Sequence, residues 1–209
     1  MLKVGITGCI GSGKTEVCKI LEELGAPVIY ADTIAKDLLD EDEGVKRQVI
    51  KLFGTQAYNA VGKVDRKLLA RKIFFDEKLK HQLEKIVHPV VIEYILKKIS
   101  EIQNNLNYKV AFVEAALIFE TEFHKNLDYT IVVDSDIDLC VERVIKRDKI
   151  SKQEVINRIK SQLNPQKKLQ LADFIIKNNS SLAELKQNVK FIYNLLIKIS
   201  NKHNGTEIT

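Results

Sequence analysis

The chain has 209 residues, 45% of them hydrophobic and 29% charged, with a formal net charge of +5. That length holds one sizeable core with room for a small inserted subdomain, and that composition excludes a disordered or fibrous chain. No apolar run reaches the roughly 18 residues that cross a bilayer, so no membrane partner is expected.

Met1–Thr7 shows no charged region, apolar region and cleavage site in succession, and a cytoplasmic location is expected. Cys9, Cys18 and Cys140 are odd in number, widely spaced and form no CxxC pair. That argues against a disulfide framework and against a zinc site. Cys9 has two readings: a small side chain tolerated in a tight loop, or a thiol whose oxidation regulates activity. The mild positive charge suits a protein that handles polyanionic small molecules, and equally suits weak nucleic-acid contact.

Leu2–Thr7 reads as a short buried strand, and Lys14–Leu24 as a helix with Val17, Ile20, Leu21 and Leu24 on one face. Gly25-Ala26-Pro27 breaks it, and Val28–Tyr30 is a second strand. From Thr33 to Asn104 the pattern is helical, with interruptions expected at Gly54–Val64 and at His88-Pro89. That stretch is too long for a simple crossover between parallel strands, so a helical subdomain is expected there. Lys109–Glu114 and Tyr129–Asp134 are further strands, and Asp136–Asp148 and Ser151–Leu163 are two charged helices. Asp173–Ile176 is the last strand. Capping boxes, Ser151 with Glu154 and Ser181 with Glu184, open the last two predicted helices, the final one running to about Ile199. Fraying is expected beyond Lys202.

Alternating strands and helices predict an α/β fold with a parallel sheet covered on both faces. Ligands bind such sheets beyond the carboxyl ends of the strands. No repeat or Gly/Ser linker divides the chain, so one domain is expected. Its core comprises about 1–32, 107–135 and 164–202, its helical insert about 33–106, and its helical lid about 136–163.

Gly8-Cys9-Ile10-Gly11-Ser12-Gly13-Lys14-Thr15 satisfies GxxxxGK[ST] and lies between a predicted strand and a predicted helix. The glycines let consecutive backbone N–H groups turn toward phosphate oxygens, and the helix adds the positive end of its dipole. Lys14 can reach the β- and γ-phosphates, and the Thr15 hydroxyl suits Mg²⁺. The loop alone does not separate kinases from GTPases or motor ATPases, but the length leaves little room for a large ATPase, and an ATP-binding small-molecule phosphotransferase is favoured. A guanine reader would carry N-K-x-D, and Asn201-Lys202-His203-Asn204 fails at its last position.

Phosphoryl transfer also needs a base at the acceptor hydroxyl and cations that follow the moving charge. Asp32, just after the second strand, is the candidate base; an N-cap for a helix starting at Thr33 is the structural alternative. Only six of the 33 basic residues are arginines, and Arg143, Arg147 and Arg158 fall within sixteen positions. Arginine grips phosphate bidentately where lysine does not. Arg143 and Arg147, four apart, share one helix face, so this helix pair reads as a lid; surface ion pairing is the other reading. Glu114 ends an apolar strand where a metal-organising carboxylate is often found.

The chain resembles the dephospho-CoA kinase family along nearly its whole length. The resemblance rests first on Ile6-Thr7-Gly8 leading into the loop, Ala31-Asp32, Asp65-Arg66-Lys67-Leu68-Leu69 and His88-Pro89. It continues through Ala116-Leu117-Ile118-Phe119-Glu120, Arg143 with Arg147, Arg158 with Gln162, and Ala172-Asp173 with Asn178. It implies a P-loop kinase fold and ATP-dependent phosphorylation of the ribose 3′-hydroxyl of dephospho-CoA, with Mg²⁺. By that resemblance Asp32 is the base, and Lys14 and Arg143 stabilise the transferring group. Gly8 to Thr15, Glu16, Arg147 and Asn178 serve ATP, with the segment ending at Asn178 near its adenine. Asp32, Arg66, His88 and Glu114 lie on the acceptor side, with Arg66 on the pyrophosphate.

The partners implied are ATP and dephospho-CoA, with no stable nucleic-acid partner, in a monomer or weak homo-oligomer. The chain departs from the family at Cys9 (usually Gly), Tyr30 (often Asp), Glu114 (typically Asp) and Ala116 (near the usual Pro). A nucleoside or nucleoside-monophosphate kinase is the nearest alternative, and a non-catalytic nucleotide-binding module is one from another class.

Overall fold

The apolar runs form five strands: β1 (Leu2–Gly8), β2 (Val28–Tyr30), β3 (Val110–Glu114), β4 (Tyr129–Asp134) and β5 (Phe174–Lys177). The structure, a computed structural model, describes residues 1–105 and 107–203 apart from the side chains of Phe75 and His203. All five strands pair in parallel, in the order β2-β3-β1-β4-β5. Every residue of β3 is buried, as an inner strand of a parallel sheet requires.

Nine helices accompany the strands among the described residues: α1 (Lys14–Glu23), α2 (Ala31–Glu41), α3 (Glu43–Phe53), α4 (Arg66–Phe75), α5 (Glu77–Gln103), α6 (Ile137–Asp148), α7 (Lys152–Lys160), α8 (Pro165–Leu171) and α9 (Leu182–His203). The chain divides into two compact units, Met1–Tyr30 with the residues from Ile99 onward, and Ala31–Lys98.

In the first unit the main core joins the sheet to α1 and α9. Val4, Ile6, Phe112, Ile131 and Ile176 meet Val17 and Leu21 of α1 and Leu185, Val189 and Leu196 of α9. A smaller core lies between α6 and α7, where Val141, Val144 and Val155 pack with Ile10 of the loop after β1. In the second unit, a short 3-10 turn (Thr55–Ala57) and a Tyr58–Val64 bridge separate α3 from α4, in the expected interruption at Gly54–Val64.

Four local expectations are corrected. His88-Pro89 does not break the helix: α5 runs through Pro89 without interruption. Proline removes one helical donor and crowds the preceding turn, at about 3 kcal/mol. Here Val87, Val91, Ile95 and Ile99, spaced by four, keep a buried stripe on either side of an exposed Pro89, and that burial outweighs the local penalty. Helix α2 begins at Ala31, so Asp32 lies in its first turn instead of capping it.

The second charged helix ends at Lys160, and α8 follows with Asn164 as its cap and Pro165 at its first position. Finally, the Ser151–Glu154 box is reciprocal, whereas at Ser181 only the hydroxyl-to-Glu184 amide bond is made. Helix α9 continues to His203, one residue past the point where fraying was expected, and the rest of that expectation falls on residues outside those described.

Phe112 is fully buried in the middle of β3. Phe112→Ala should lower the unfolding free energy by about 3–5 kcal/mol, read from urea denaturation followed by circular dichroism.

Candidate active site

Strand β1 ends at Gly8 and α1 begins at Lys14, so the loop Cys9–Gly13 turns at the carboxyl edge of the sheet. The first turn of α1 carries the positive end of the helix dipole. Gly13, immediately before α1, has φ 98°, a left-handed conformation that suits glycine. A Cβ there would also collide with the Asn178 amide nitrogen. Gly11 is likewise left-handed at φ 83°, and a Cβ there would strike the Cys140 carbonyl of α6. The Lys14 ammonium folds back over the loop, donating to the carbonyls of Gly8 at 3.1 Å and Cys9 at 3.3 Å.

The loop is held from outside as well as within. Asn178, buried just after β5, donates its side-chain amide to the Ser12 carbonyl at 2.8 Å. Its backbone amide donates to the Asp134 carbonyl, which locks the end of β5 to β4. The Asn178 carbonyl accepts from Ser135 Oγ at 3.0 Å and from Arg143 at 3.0 Å. Arg143 also donates to Ser135 Oγ at 3.1 Å and to the Gly11 carbonyl at 3.5 Å. On the α7 side, the Ile10 amide donates to Gln162 Oε1 at 3.3 Å. The Ser12 hydroxyl is buried without a protein partner.

The arginines that share a helix face have different partners. Arg143 reaches the loop, whereas Arg147 makes a bidentate pair with Asp148 at 2.7 and 3.0 Å. Arg158 approaches the same carboxylate at 3.5 Å, and the Arg147 hydrogen bond leads in holding Asp148 below the usual carboxylate range.

Glu114 is buried at the end of β3, in register with Ile6 of β1 and Tyr30 of β2. Beyond it, Ala116 offers its carbonyl to Thr7 Oγ1 at 3.1 Å and to the ammonium of Lys168 at 2.8 Å. Lys168 of α8 is only 1% exposed and also pairs with Glu120 at 2.9 Å. Glu120 accepts in turn from the Leu163 amide.

In the second unit, Arg66 donates to Asp40 at 2.7 Å and to the Lys36 carbonyl at 3.2 Å. Burial pushes the Asp40 carboxyl up, but hydrogen bonds from Val64 and Arg66 hold it below its ordinary range. His88 is half-buried in α5, and desolvation leads in lowering its pKa. Asp32 belongs to this unit too, two residues past the carboxyl end of β2.

The first unit thus brings Gly8 to Thr15, Glu16, Glu114, Arg143 and Asn178 to one edge of one sheet, while Arg147 is engaged with Asp148. Ser135, Lys168 and Asp148 are the structural partners that sequence reading does not reveal. Each acts through a contact made far along the chain or, for Asp148, through one of many equivalent charges.

A phosphate loop on the carboxyl edge of a parallel sheet ordered β2-β3-β1-β4-β5 defines a P-loop kinase fold. A sequence model of the dephospho-CoA kinase family matches residues 2–184. A dephospho-CoA kinase from Leptospira interrogans serovar copenhageni is 35% identical over 194 residues, covering 93% of this chain and 92% of that protein. One from Aquifex aeolicus is 36% identical over 199 residues, covering 95% and 99%. The solved dephospho-CoA kinase from Campylobacter jejuni superposes with a TM-score of 0.71 at 32% identity, covering 94% of this chain and 97% of that one. The chain belongs to the dephospho-CoA kinase family.

Asn178→Ala removes the side-chain bond that holds the Ser12 carbonyl. Equilibrium titration with a fluorescent ATP analogue should show affinity lower by about tenfold, the worth of one buried hydrogen bond. Unchanged affinity would mean that the loop keeps its shape without Asn178.

Proposed function

We propose that this chain transfers the γ-phosphoryl group of ATP to the ribose 3′-hydroxyl of dephospho-CoA, giving CoA and ADP in the cytoplasm. One observation carries the reading: the family match spans residues 2–184 and so includes both the phosphate loop and the helical insert. The insert, about 33–106, holds the acceptor through Arg66, and His88 and Glu114 are assigned to acceptor binding as well. Helices α6 and α7, about 136–163, form the lid. The enzyme works as a monomer or weak homo-oligomer, without a stable nucleic-acid or membrane partner.

The loop amides from Gly8 to Thr15 bind the ATP phosphates, and Glu16 and Asn178 flank them. Lys14 exchanges its bonds to the Gly8 and Cys9 carbonyls for the β- and γ-phosphate oxygens. Arg143 has five N–H donors, enough to keep its anchor on Asn178 and still meet the charge that develops on the moving group. Arg147 assists by leaving Asp148 as the lid closes. Asp32 accepts the proton of the attacking hydroxyl.

The exposed Thr15 hydroxyl is a hard oxygen ligand at the start of α1. It would help to hold a Mg²⁺ carried in on the nucleotide. Such an ion would neutralise charge on the β- and γ-phosphates.

A coupled ATP-consumption assay with dephospho-CoA beside AMP and simple nucleosides tests the assignment. Rapid turnover of dephospho-CoA alone is the expected result, and preference for a nucleoside monophosphate would overturn it. Failure of every acceptor to stimulate ATP consumption would point to a binding module. Asp32→Asn should lower kcat by roughly two orders of magnitude or more with ATP affinity nearly intact. Arg143→Lys should also reduce kcat, because a lysine keeps the charge but loses the fork. Chelating divalent cations should abolish turnover.

A further inference from the structure

Gln162, half-buried between α7 and α8, has no part in the transfer steps above. Its Oε1 accepts from the Ile10 amide at 3.3 Å, across 152 residues of chain. Ile10 shares a planar, trans peptide group with Cys9, so its N–H and the Cys9 carbonyl point in opposite directions. That carbonyl accepts from the Lys14 ammonium at 3.3 Å and from the Ser12 amide at 3.1 Å. One peptide plane therefore meets Gln162 at one edge and Lys14 with Ser12 at the other.

The Ser12-to-Cys9 bond closes a four-residue turn with Gly11 third, where φ 83° is the left-handed value that a type II turn demands. Two carbonyls of this turn are held from outside, Gly11 by Arg143 and Ser12 by Asn178. Gln162 holds the peptide that opens the turn. The Ile10 side chain packs with α6 and α7, which places its Cα but leaves the tilt of the preceding peptide to the soft dihedrals on either side.

Gln162 can set that tilt because its own backbone is fixed. Its amide donates to the Ile159 carbonyl at 3.2 Å, and the next amide, of Leu163, donates to Glu120 at 2.8 Å. Glu120 is itself held at 2.9 Å by the buried ammonium of Lys168. Asn164 then caps α8 through the Gln166 amide at 2.8 Å. Three consecutive residues between two helices are thus tied down. A side chain rooted on an anchored segment holds its target to a defined position, which a mobile loop does not.

We infer that Gln162 is a positioning residue for the phosphate loop: by fixing the Cys9–Ile10 peptide it aims the Cys9 carbonyl at Lys14 and keeps the Ser12 turn closed before nucleotide arrives. The Lys14 ammonium then starts in place over the loop, and the phosphates meet a cradle that needs little further ordering. In this role Gln162 touches neither nucleotide nor acceptor and acts only through that peptide. The effect on nucleotide affinity rests on the ATP-binding reading of the loop; the peptide contact itself does not.

The test compares the full-length protein with Gln162→Met, which keeps the shape and loses the acceptor, and Gln162→Glu, which keeps an oxygen at the same reach. Circular dichroism checks each fold. In ¹⁵N–¹H spectra recorded without nucleotide, the Ile10 amide proton should move upfield and exchange faster in Gln162→Met, and Gln162→Glu should return both toward wild type. Gln162→Met should weaken binding of the fluorescent ATP analogue by about fivefold. On a Lys14→Ala background the same substitution should cost less than it does alone, because part of its effect passes through Lys14. An Ile10 signal indifferent to Gln162, full additivity with Lys14→Ala, or affinity unchanged or higher in Gln162→Met would overturn the proposal. If the wild-type protein binds no ATP analogue, the ATP reading fails, and the Ile10 signal still decides the Gln162 contact.

Discussion

The phosphate loop is tied to the far end of the chain by a hydrogen bond from the Asn178 side chain to the Ser12 carbonyl, 166 residues apart. A glycine-rich loop is free to adopt many shapes, and freezing it costs entropy that local sequence does not return. Asn178 supplies the return. It is buried, its backbone amide is fixed to Asp134, and its carbonyl gathers Ser135 and Arg143. The strand order makes this possible. β5 lies beside β4, which lies beside β1, so the residue after β5 reaches the loop after β1. Gly13 completes the fit, because any side chain there would occupy the space of the Asn178 amide. The shape of the nucleotide site is therefore set partly by the last strand of the sheet.

Lys168 plays a comparable part on the other side of the loop. A lysine so nearly enclosed is costly unless its charge is paired and its protons are accepted. Glu120 and the Ala116 carbonyl meet those needs, and Thr7 of β1 shares that carbonyl. Losing either partner would leave a buried charge unmatched, which costs more than the intact pair contributes. The pair thereby fixes α8 and the segment after β3 to the root of the phosphate loop. It also places a positive charge beside Cys9.

Much of the fold was legible in the sequence because its signals are local. The glycine motif, the apolar runs of β1, β3 and β4, and the capping box at Ser151 each lie within a few neighbouring residues. The Asn164-Pro165 start of α8 carried a local signal as well, a cap followed by a proline at the first helical position. The run through His88-Pro89 shows two local signals in conflict. Proline argues for a break, and the four-residue spacing from Val87 to Ile99 argues for continuity; burial decides, and burial is not a local property. The clamp on the loop was not legible at all. Arg143 to Gly11 spans 132 residues, and Ile10 to Gln162 spans 152. Nothing in the residue types distinguishes Ser135 or Lys168 from the chain's other serines and lysines until the topology brings them inside.

The two arginines of α6 show how far a shared helix face can mislead. One turn of that helix, carrying Cys140, Arg143 and Val144, is committed to the phosphate loop: Gly11 approaches the Cys140 carbonyl, Arg143 bonds the Gly11 carbonyl, and Val144 packs with Ile10. The next turn carries Arg147, which leaves the loop and pairs with Asp148, the carboxylate that Arg158 of α7 also approaches. A helix rooted at one turn and held by exposed ion pairs at the next has unequal freedom along its length. The rooted turn is fixed by burial and by charge-assisted bonds to carbonyls. The outer turn is fixed by pairs worth up to about 1 kcal/mol each, which a polyanion can outbid. Helix α6 therefore has its fixed end at the phosphate loop and its releasable end at Arg147.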